Sequence, residues 1–355
     1  APDVLKYRIL SALVLVPLVV LAVLKLDIGN FALLAALAVM LGGWEWSALI
    51  PLRQPLLRVG YLLLLLGLLA LAWKFAQLEL LVNMALWLAM LWWLFALFWI
   101  SRPQLGGGET VSHSVMKAGL GIGLLVSTWL ALVVLHSRPD QGPHWVLYVL
   151  VLVWVADSGA FFAGRQWGHT RLAPQVSPGK TWEGVFGALV ACSLYAVGYA
   201  WYLGLQGAVL TSFVLVCLVT VLFSIAGDLL ESLMKRQRGV KDSGSLIPGH
   251  GGILDRIDSL LAAAPVFLFG LRWIDVSTDA GEVSFGGLMD MMGMNAGQLA
   301  AAFNAAERKL SFGNLDAVFK YSHRLTPDLA FGSSLRMENV NISDPRVLVP
   351  QLAEV

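Results

Sequence analysis

Long apolar runs alternate with short polar breaks along most of the chain, and the runs set the first expectation. A bilayer core about 30 Å thick takes about 20 mostly apolar residues per helical crossing. Nine runs approach or exceed that length: 9–26, 29–50, 56–76, 80–100, 115–136, 145–165, 182–204, 208–231 and 252–273. Lipid leaves no water to satisfy backbone groups, so such runs predict helices. The expected fold class is all-α, a polytopic membrane protein with about nine transmembrane helices. The first run follows Lys6 and Arg8, as the core of a signal peptide would. No small-x-small cleavage pattern closes it and eight more runs follow, so it reads as a span.

The basic residues divide unevenly between the two sides these spans define. The segment before span 1 and those after spans 2, 4, 6 and 8 hold fourteen Lys and Arg, against four (Lys25, Lys74, Arg138 and Arg272) on the other side. Cytoplasmic loops retain positive charge, so the N-terminus is expected in the cytoplasm and residue 275 on the far side. Residues 276–355 change character. All fourteen Trp lie at or before Trp273, while five of the seven Asn lie in this tail. The division is therefore a transmembrane domain over 1–275 and a C-terminal extension over 276–355. The extension includes a Met-rich stretch, Met289 to Met294, and an expected amphipathic helix near 296–310. The Met group reads as packing or a partner surface rather than a metal site.

Composition agrees with the pattern. Hydrophobic residues make up 58% of the 355, and charged residues 13%, about half the usual share in a soluble domain. Mean hydropathy is +0.74, which excludes a disordered chain. The formal net charge of +1 gives no general case for nucleic acid, and no nucleic-acid partner is expected. Cys192 and Cys217 both sit inside apolar runs and read as buried small hydrophobes, with no disulfide framework or zinc spacing.

Three polar stretches interrupt the apolar background. In the first, Asp157-Ser158-Gly159-Ala160 falls inside span six, where a carboxylate is costly unless paired or hydrated. It marks either a polar cavity reaching into the membrane or a small-residue helix contact. The second, Ser177-Pro178-Gly179-Lys180-Thr181-Trp182-Glu183-Gly184, leads into span seven. Ser177 as N-cap and Pro178 at the first helical position would start a helix there. Its free N–H groups, with Lys180, would suit an anion. Gly179-Lys180-Thr181 is not a P-loop, because Pro174 stands where that motif needs glycine.

The third stretch is the densest. Gly227-Asp228 through Glu231-Ser232 ends span eight, followed by Lys235, Arg236, Arg238, Lys241 and Asp242. Pro248-Gly249-His250-Gly251-Gly252 leads into Asp255-Arg256-Ile257-Asp258 at the start of span nine. Asp228, Ser232 and Lys235 share a helix face, as do Asp255 and Asp258. Neighbouring helices would bring Asp228, Asp255 and Asp258 together. Clustered carboxylates repel unless one holds a proton or a cation lies between them. All-oxygen ligation favours Mg²⁺, and the number of ions stays open. The glycine turn would let backbone N–H groups approach a phosphate beside the nearby cations. Together these features describe a phosphoryl or nucleotidyl transfer site.

The residues from Ser232 to Asp258, SLMKRQRGVKDSGSLIPGHGGILDRID, resemble the signature of the bacterial phosphatidate cytidylyltransferase (CDP-diacylglycerol synthase) family. The stretches at 157–160 and 177–184 are similar to the same family's second block, and the general layout resembles it over about residues 5–274. The resemblance implies an integral enzyme of the bacterial inner membrane that works as a homodimer among membrane lipids. It implies transfer of CMP from CTP to phosphatidic acid, giving CDP-diacylglycerol and pyrophosphate for phospholipid synthesis. Carried onto this chain, Asp228, Asp255 and Asp258 become metal ligands and catalytic residues, with Lys241 also catalytic. Asp157, Ser177, Lys180, Ser232, Lys235, Arg236, Asp242, His250 and Arg256 become substrate-binding candidates. Gly179 departs from the family, where many relatives carry a second basic residue, and the tail has no counterpart.

Other readings predict different features. A CDP-alcohol phosphotransferase would carry an Asp-Gly-x-x-Ala-Arg start, which is absent. A transporter would show interrupted helices in two internal repeats, whereas these charges crowd one side near spans six to nine.

Overall fold

The computed structural model describes residues 2–50, 54–108, 110–139, 141–244, 246 and 251–274, with side chains described from residue 13 onward. Among the described residues, nine α-helices fall where the nine runs were expected. They are α1 (Pro2–Lys25), α2 (Ile28–Leu49), α3 (Pro55–Phe75), α4 (Glu79–Ser101), α5 (Val111–His136), α6 (Gly142–Trp167), α7 (Trp182–Tyr202), α8 (Gly207–Arg238) and α9 (Leu254–Trp273). Seven of them, α2 through α8, are long and apolar enough to cross a membrane. The protein is thus an integral membrane protein. Residues 276–355, where a Met stretch and an amphipathic helix were expected, lie outside the described residues.

Local chemistry sets several boundaries. Asp27 caps α2 by accepting from the N–H groups of Gly29 and Asn30 at 3.1 and 3.3 Å. Thr110 caps α5 by accepting from the N–H of His113. The end of α8 needs a left-handed residue, and Gly239 supplies it at φ 73° without steric cost. Its N–H donates to Arg236 O and that of Val240 to Lys235 O, both at 3.0 Å.

One boundary differs from the expectation. Ser177–Thr181 is a strand, β2, paired antiparallel with β1 (Arg171–Ala173), and α7 starts only at Trp182. Thr181, not Ser177, is the N-cap, accepting from Gly184 N–H at 3.2 Å. Ser-Pro has the local chemistry of a helix start, but pairing with residues four to ten positions earlier holds this segment extended. The Glu183 carboxylate accepts from Thr170 N–H at 3.0 Å and fastens the hairpin to the first turn of α7.

Two apolar clusters form the core. The first joins α6 and α7 with parts of α1, α2, α4, α5, α8 and α9, and the second joins α2 to α5 with other parts of α8 and α9. α8 and α9 pack on each other and serve both clusters, so they are the shared wall of the molecule. Single polar contacts pin the crossings inside this apolar matrix. Thr128 Oγ1 donates to Leu261 O at 3.0 Å, tying α5 to α9. Trp46 Nε1 donates to Lys117 O and Trp129 Nε1 to Ala32 O, each at 2.9 Å, tying α2 to α5. Cys192 and Cys217 are free and buried, as their apolar settings predicted.

The crossing of α6 on α7 rests on small residues. A Cβ on Gly187 would lie 2.2 Å from the Ala163 methyl and 2.7 Å from Gly159 O. Gly198, on the same helix, has nothing within 4 Å of a Cβ. Gly187→Leu should therefore lower the thermal unfolding midpoint in detergent, since overpacking a crossing costs about 1–3 kcal/mol. Gly198→Leu should leave that midpoint in place; equal effects from the two would mean the crossing is not the constraint described.

Candidate active site

The candidate residues gather at one end of the bundle, where α2, α6 and α8 finish and α7 and α9 begin. Close approach of α8 and α9 is the first requirement. A Cβ on Gly227 would sit 2.4 Å from Asp258 O, so only glycine lets the two backbones touch there. The next residue on α8, Asp228, then faces Asp258 on α9.

One carboxylate oxygen from each of Asp228, Glu231 and Asp258 lies within 4.8 Å of the other two. Lys180, at the end of β2, brings its ammonium 2.6 Å from Asp228 Oδ2. Ser232 Oγ donates to Asp228 Oδ1 at 3.3 Å. Glu231 is 1% exposed, and both its oxygens are buried without a hydrogen-bond partner. Lys235 Nζ lies 2.5 Å from Glu231 Oε2, an ion pair by distance that lacks hydrogen-bond geometry. Asp157 is exposed on α6, and its charge interacts with those of Lys180, Asp228 and Arg256. The polar stretch in span six is therefore a wall of this same site.

Asp255 has different company. Its Oδ1 accepts from Lys235 Nζ at 2.7 Å. Its Oδ2 accepts from Gly252 N–H at 2.8 Å, Ser243 Oγ at 2.9 Å and Ser243 N–H at 3.1 Å. The group of three carboxylates among the described residues contains Glu231, and Asp255 lies outside it, joined through Lys235. Arg236 Nε donates to Val176 O at 3.3 Å and ties the hairpin to α8. Ser177 is half-buried in β2, and Arg256, Lys241 and Asp242 are exposed. His250 lies outside the described residues.

The amides of the 248–252 glycine turn, which runs into α9, were expected to approach a phosphate; residues 248–250 lie outside the described residues, and amides that follow them are engaged. Those of Ile253 and Leu254 are already taken by the carboxylate of Glu45, at 3.1 and 2.7 Å, and that of Gly252 by Asp255. Protein carboxylates occupy the positive end of the helix. At α7 the N–H of Gly184 is likewise held by Thr181.

The sequence model of the cytidylyltransferase family matches residues 6–274. The chain belongs to the cytidylyltransferase family. Among relatives, it is 40% identical over 272 residues to the phosphatidate cytidylyltransferase of Pseudomonas aeruginosa, covering 76% of this chain and 97% of that one. It is 38% identical to the phosphatidate cytidylyltransferase of Haemophilus influenzae, over 75% of this chain and 98% of the relative. A phosphatidate cytidylyltransferase of Staphylococcus haemolyticus matches at 40% identity over 134 residues, half of its length. The resemblance drawn from residues 232–258 is thus borne out at the level of the family.

In this cytidylyltransferase two acidic residues have structural roles that local patterning did not assign. Glu231 stands three positions after Asp228, a helix spacing that puts both carboxylates on one face. Glu45 stands alone at the end of an apolar run, in Gly43-Trp44-Glu45-Trp46. An unpaired carboxylate at such a position was the available signal.

Gly227→Ala should force α8 and α9 apart by tenths of an ångström to an ångström at the carboxylates. Misplacement on that scale costs about 100-fold in rate, so cytidylyl transfer should fall by about that factor while membrane insertion persists. Gly179→Ala, where a Cβ meets nothing within 4 Å, should keep its rate. Unimpaired transfer by the Gly227 variant would contradict the tight crossing as the site's foundation.

Proposed function

We infer that the protein transfers CMP from CTP to phosphatidic acid, releasing CDP-diacylglycerol and pyrophosphate at the cytoplasmic face of a bacterial inner membrane. The observation that carries this reading is the Asp228, Glu231 and Asp258 group, faced by Lys180, at one end of an apolar helix bundle. Such a place is open to a water-borne nucleotide and within reach of a lipid headgroup. The names of the relatives, and the near-complete coverage of their lengths, support the same substrates. The family match to 6–274 supports 1–275 as the catalytic unit, with 276–355 appended to it. A homodimer belongs to the same reading.

The residues fit a divalent cation. Their donors are all carboxylate oxygens, which suits a hard ion such as Mg²⁺. Glu231 also buries two oxygens that no hydrogen bond satisfies, an arrangement that a cation would repair. Asp228, Glu231 and Asp258 would hold it, while Asp255 would act one step behind through Lys235 and Ser243. When bound, such an ion supplies positive charge to phosphate oxygens as charge builds on them.

The chain's own residues then position and neutralise. A phosphatidate oxygen attacks the α-phosphorus of CTP; the new bond joins lipid phosphate to CMP, and the bond to the β-phosphate breaks. The pyrophosphate leaves with the electron pair of that bond. A phosphate monoester is already anionic near neutral pH, so no strong general base is needed. Lys180, Arg236, Lys241 and Arg256 would hold phosphate oxygens, and Asp157 and Ser177 would line the approach. Catalysis here consists of orientation and electrostatic stabilisation.

Purified protein given labelled CTP and several lipid phosphates, with and without Mg²⁺, tests the reading. Label should enter a liponucleotide only with phosphatidate and the metal. Transfer to a different lipid phosphate, or label retained in CTP throughout, would overturn the substrate assignment. Asp258→Asn should lower turnover by at least about 100-fold, since the groups that stabilise transferring phosphoryl charge carry effects of that order, and should still insert; wild-type turnover would remove Asp258 from the site.

A further inference from the structure

The reaction leaves one buried carboxylate unused. Glu45 lies near the end of α2, 5% exposed, among apolar neighbours. Its oxygens accept from Ile253 N–H at 3.1 Å, Leu254 N–H at 2.7 Å and Ser243 Oγ at 3.4 Å. α9 has no side-chain cap of its own, because Ile253 occupies the N-cap position. Glu45 therefore supplies, from 208 positions away, the acceptor that a local Ser or Asp would normally provide.

The surrounding chain is shaped to admit this carboxylate. A Cβ on Gly244 would meet Glu45 Oε1 at 2.3 Å, and a Cβ on Gly252 would meet Oε2 at 2.4 Å. Gly244 and Gly252 thus both close around one side chain. Ser243 bridges it to Asp255, donating toward both carboxylates, and Asp255 continues to Lys235 and Glu231. α2 itself is held by the Trp46 indole, which donates to Lys117 O and presses on Gly121, where a Cβ would come within 2.1 Å of Nε1. The clasp is anchored on both sides.

We propose that Glu45 is a positioning residue for cytidylyl transfer: by gripping the first amides of α9 and the Ser243 hydroxyl, it sets the height at which Asp258 meets Asp228 and Glu231. Asp258 lies one helical turn beyond Leu254, so a shift or fraying of the first turn moves its carboxylate directly. The grip rests on geometry alone; its catalytic consequence rests on the function proposed above.

The test uses full-length protein carrying Glu45→Gln or Glu45→Asp. The Gln side chain keeps its shape but turns one acceptor into an N–H₂ facing donor N–H groups; Asp keeps the charge but is one methylene short. Three quantities are read: the Mg²⁺ dependence and kcat of CMP transfer, hydrogen exchange of residues 251–258, and the thermal midpoint. Both variants should exchange faster over 251–258, lower kcat at least tenfold and need more Mg²⁺ for half-maximal rate, with a near-normal midpoint. Glu45→Asp should be the less impaired. Activity lost only in proportion to unfolded protein, with an unchanged Mg²⁺ requirement, would make Glu45 merely structural and overturn the proposal, as would unchanged exchange. If the wild type moves no CMP to phosphatidate, the substrate reading fails separately, and exchange over 251–258 still decides whether the grip exists.

Discussion

Bringing carboxylates together at the end of an apolar helix bundle is the constraint on which the rest of this structure depends. Each carboxylate loses water on entering the bundle, and each raises the cost of the next. The chain answers with matched cations and with very short backbone distances. Lys180 reaches from a hairpin to Asp228, and Lys235 lies between Glu231 and Asp255. Gly227 lets α8 touch α9, so carboxylates from two helices face one another. The compensation is incomplete at Glu231, whose buried oxygens have an ion pair to Lys235 but no hydrogen bond, and the proposed cation would make up that shortfall.

Both apolar clusters include α8 and α9, which makes the helices that carry the carboxylate group also the mechanical centre of the protein. The arrangement separates two tasks. The lipid-facing helices need only be apolar and long, which is why so many of their large side chains are exposed. The central pair needs glycine at the crossing, pinned contacts such as Thr128 to Leu261, and a fixed start for α9. Around that pair, the hairpin between α6 and α7 delivers Lys180 and Val176 to the same end.

Much of this was legible in the sequence because bilayer thickness imposes a length on every apolar run. The helices fall on the expected runs, and the isolated charges Asp157, Lys180, Asp228 and Asp258 are indeed brought to one place. What was not legible depended on partners far away in the chain. Ser177-Pro178 looks like a helix start until the 171–173 strand pairs with it. The start of α9 looks like an open helix N-terminus until Glu45 takes the amides of Ile253 and Leu254 and Asp255 that of Gly252. Glu45 itself sits in a run whose period says only that it spans a membrane. Local pattern identified which residues had to be paid attention by the fold, and tertiary contacts decided which partner each received.

The central claim is that Asp228, Glu231 and Asp258 together hold a divalent cation. Electron paramagnetic resonance of Mn²⁺ titrated into purified full-length protein tests it most directly. The wild type should bind Mn²⁺ in competition with Mg²⁺, and Asp228→Asn and Glu231→Gln should each weaken that binding at least tenfold. Asp27→Asn, at the opposite end of the bundle, should leave it unchanged. Equal Mn²⁺ affinity in the wild type and both site variants would contradict the assignment.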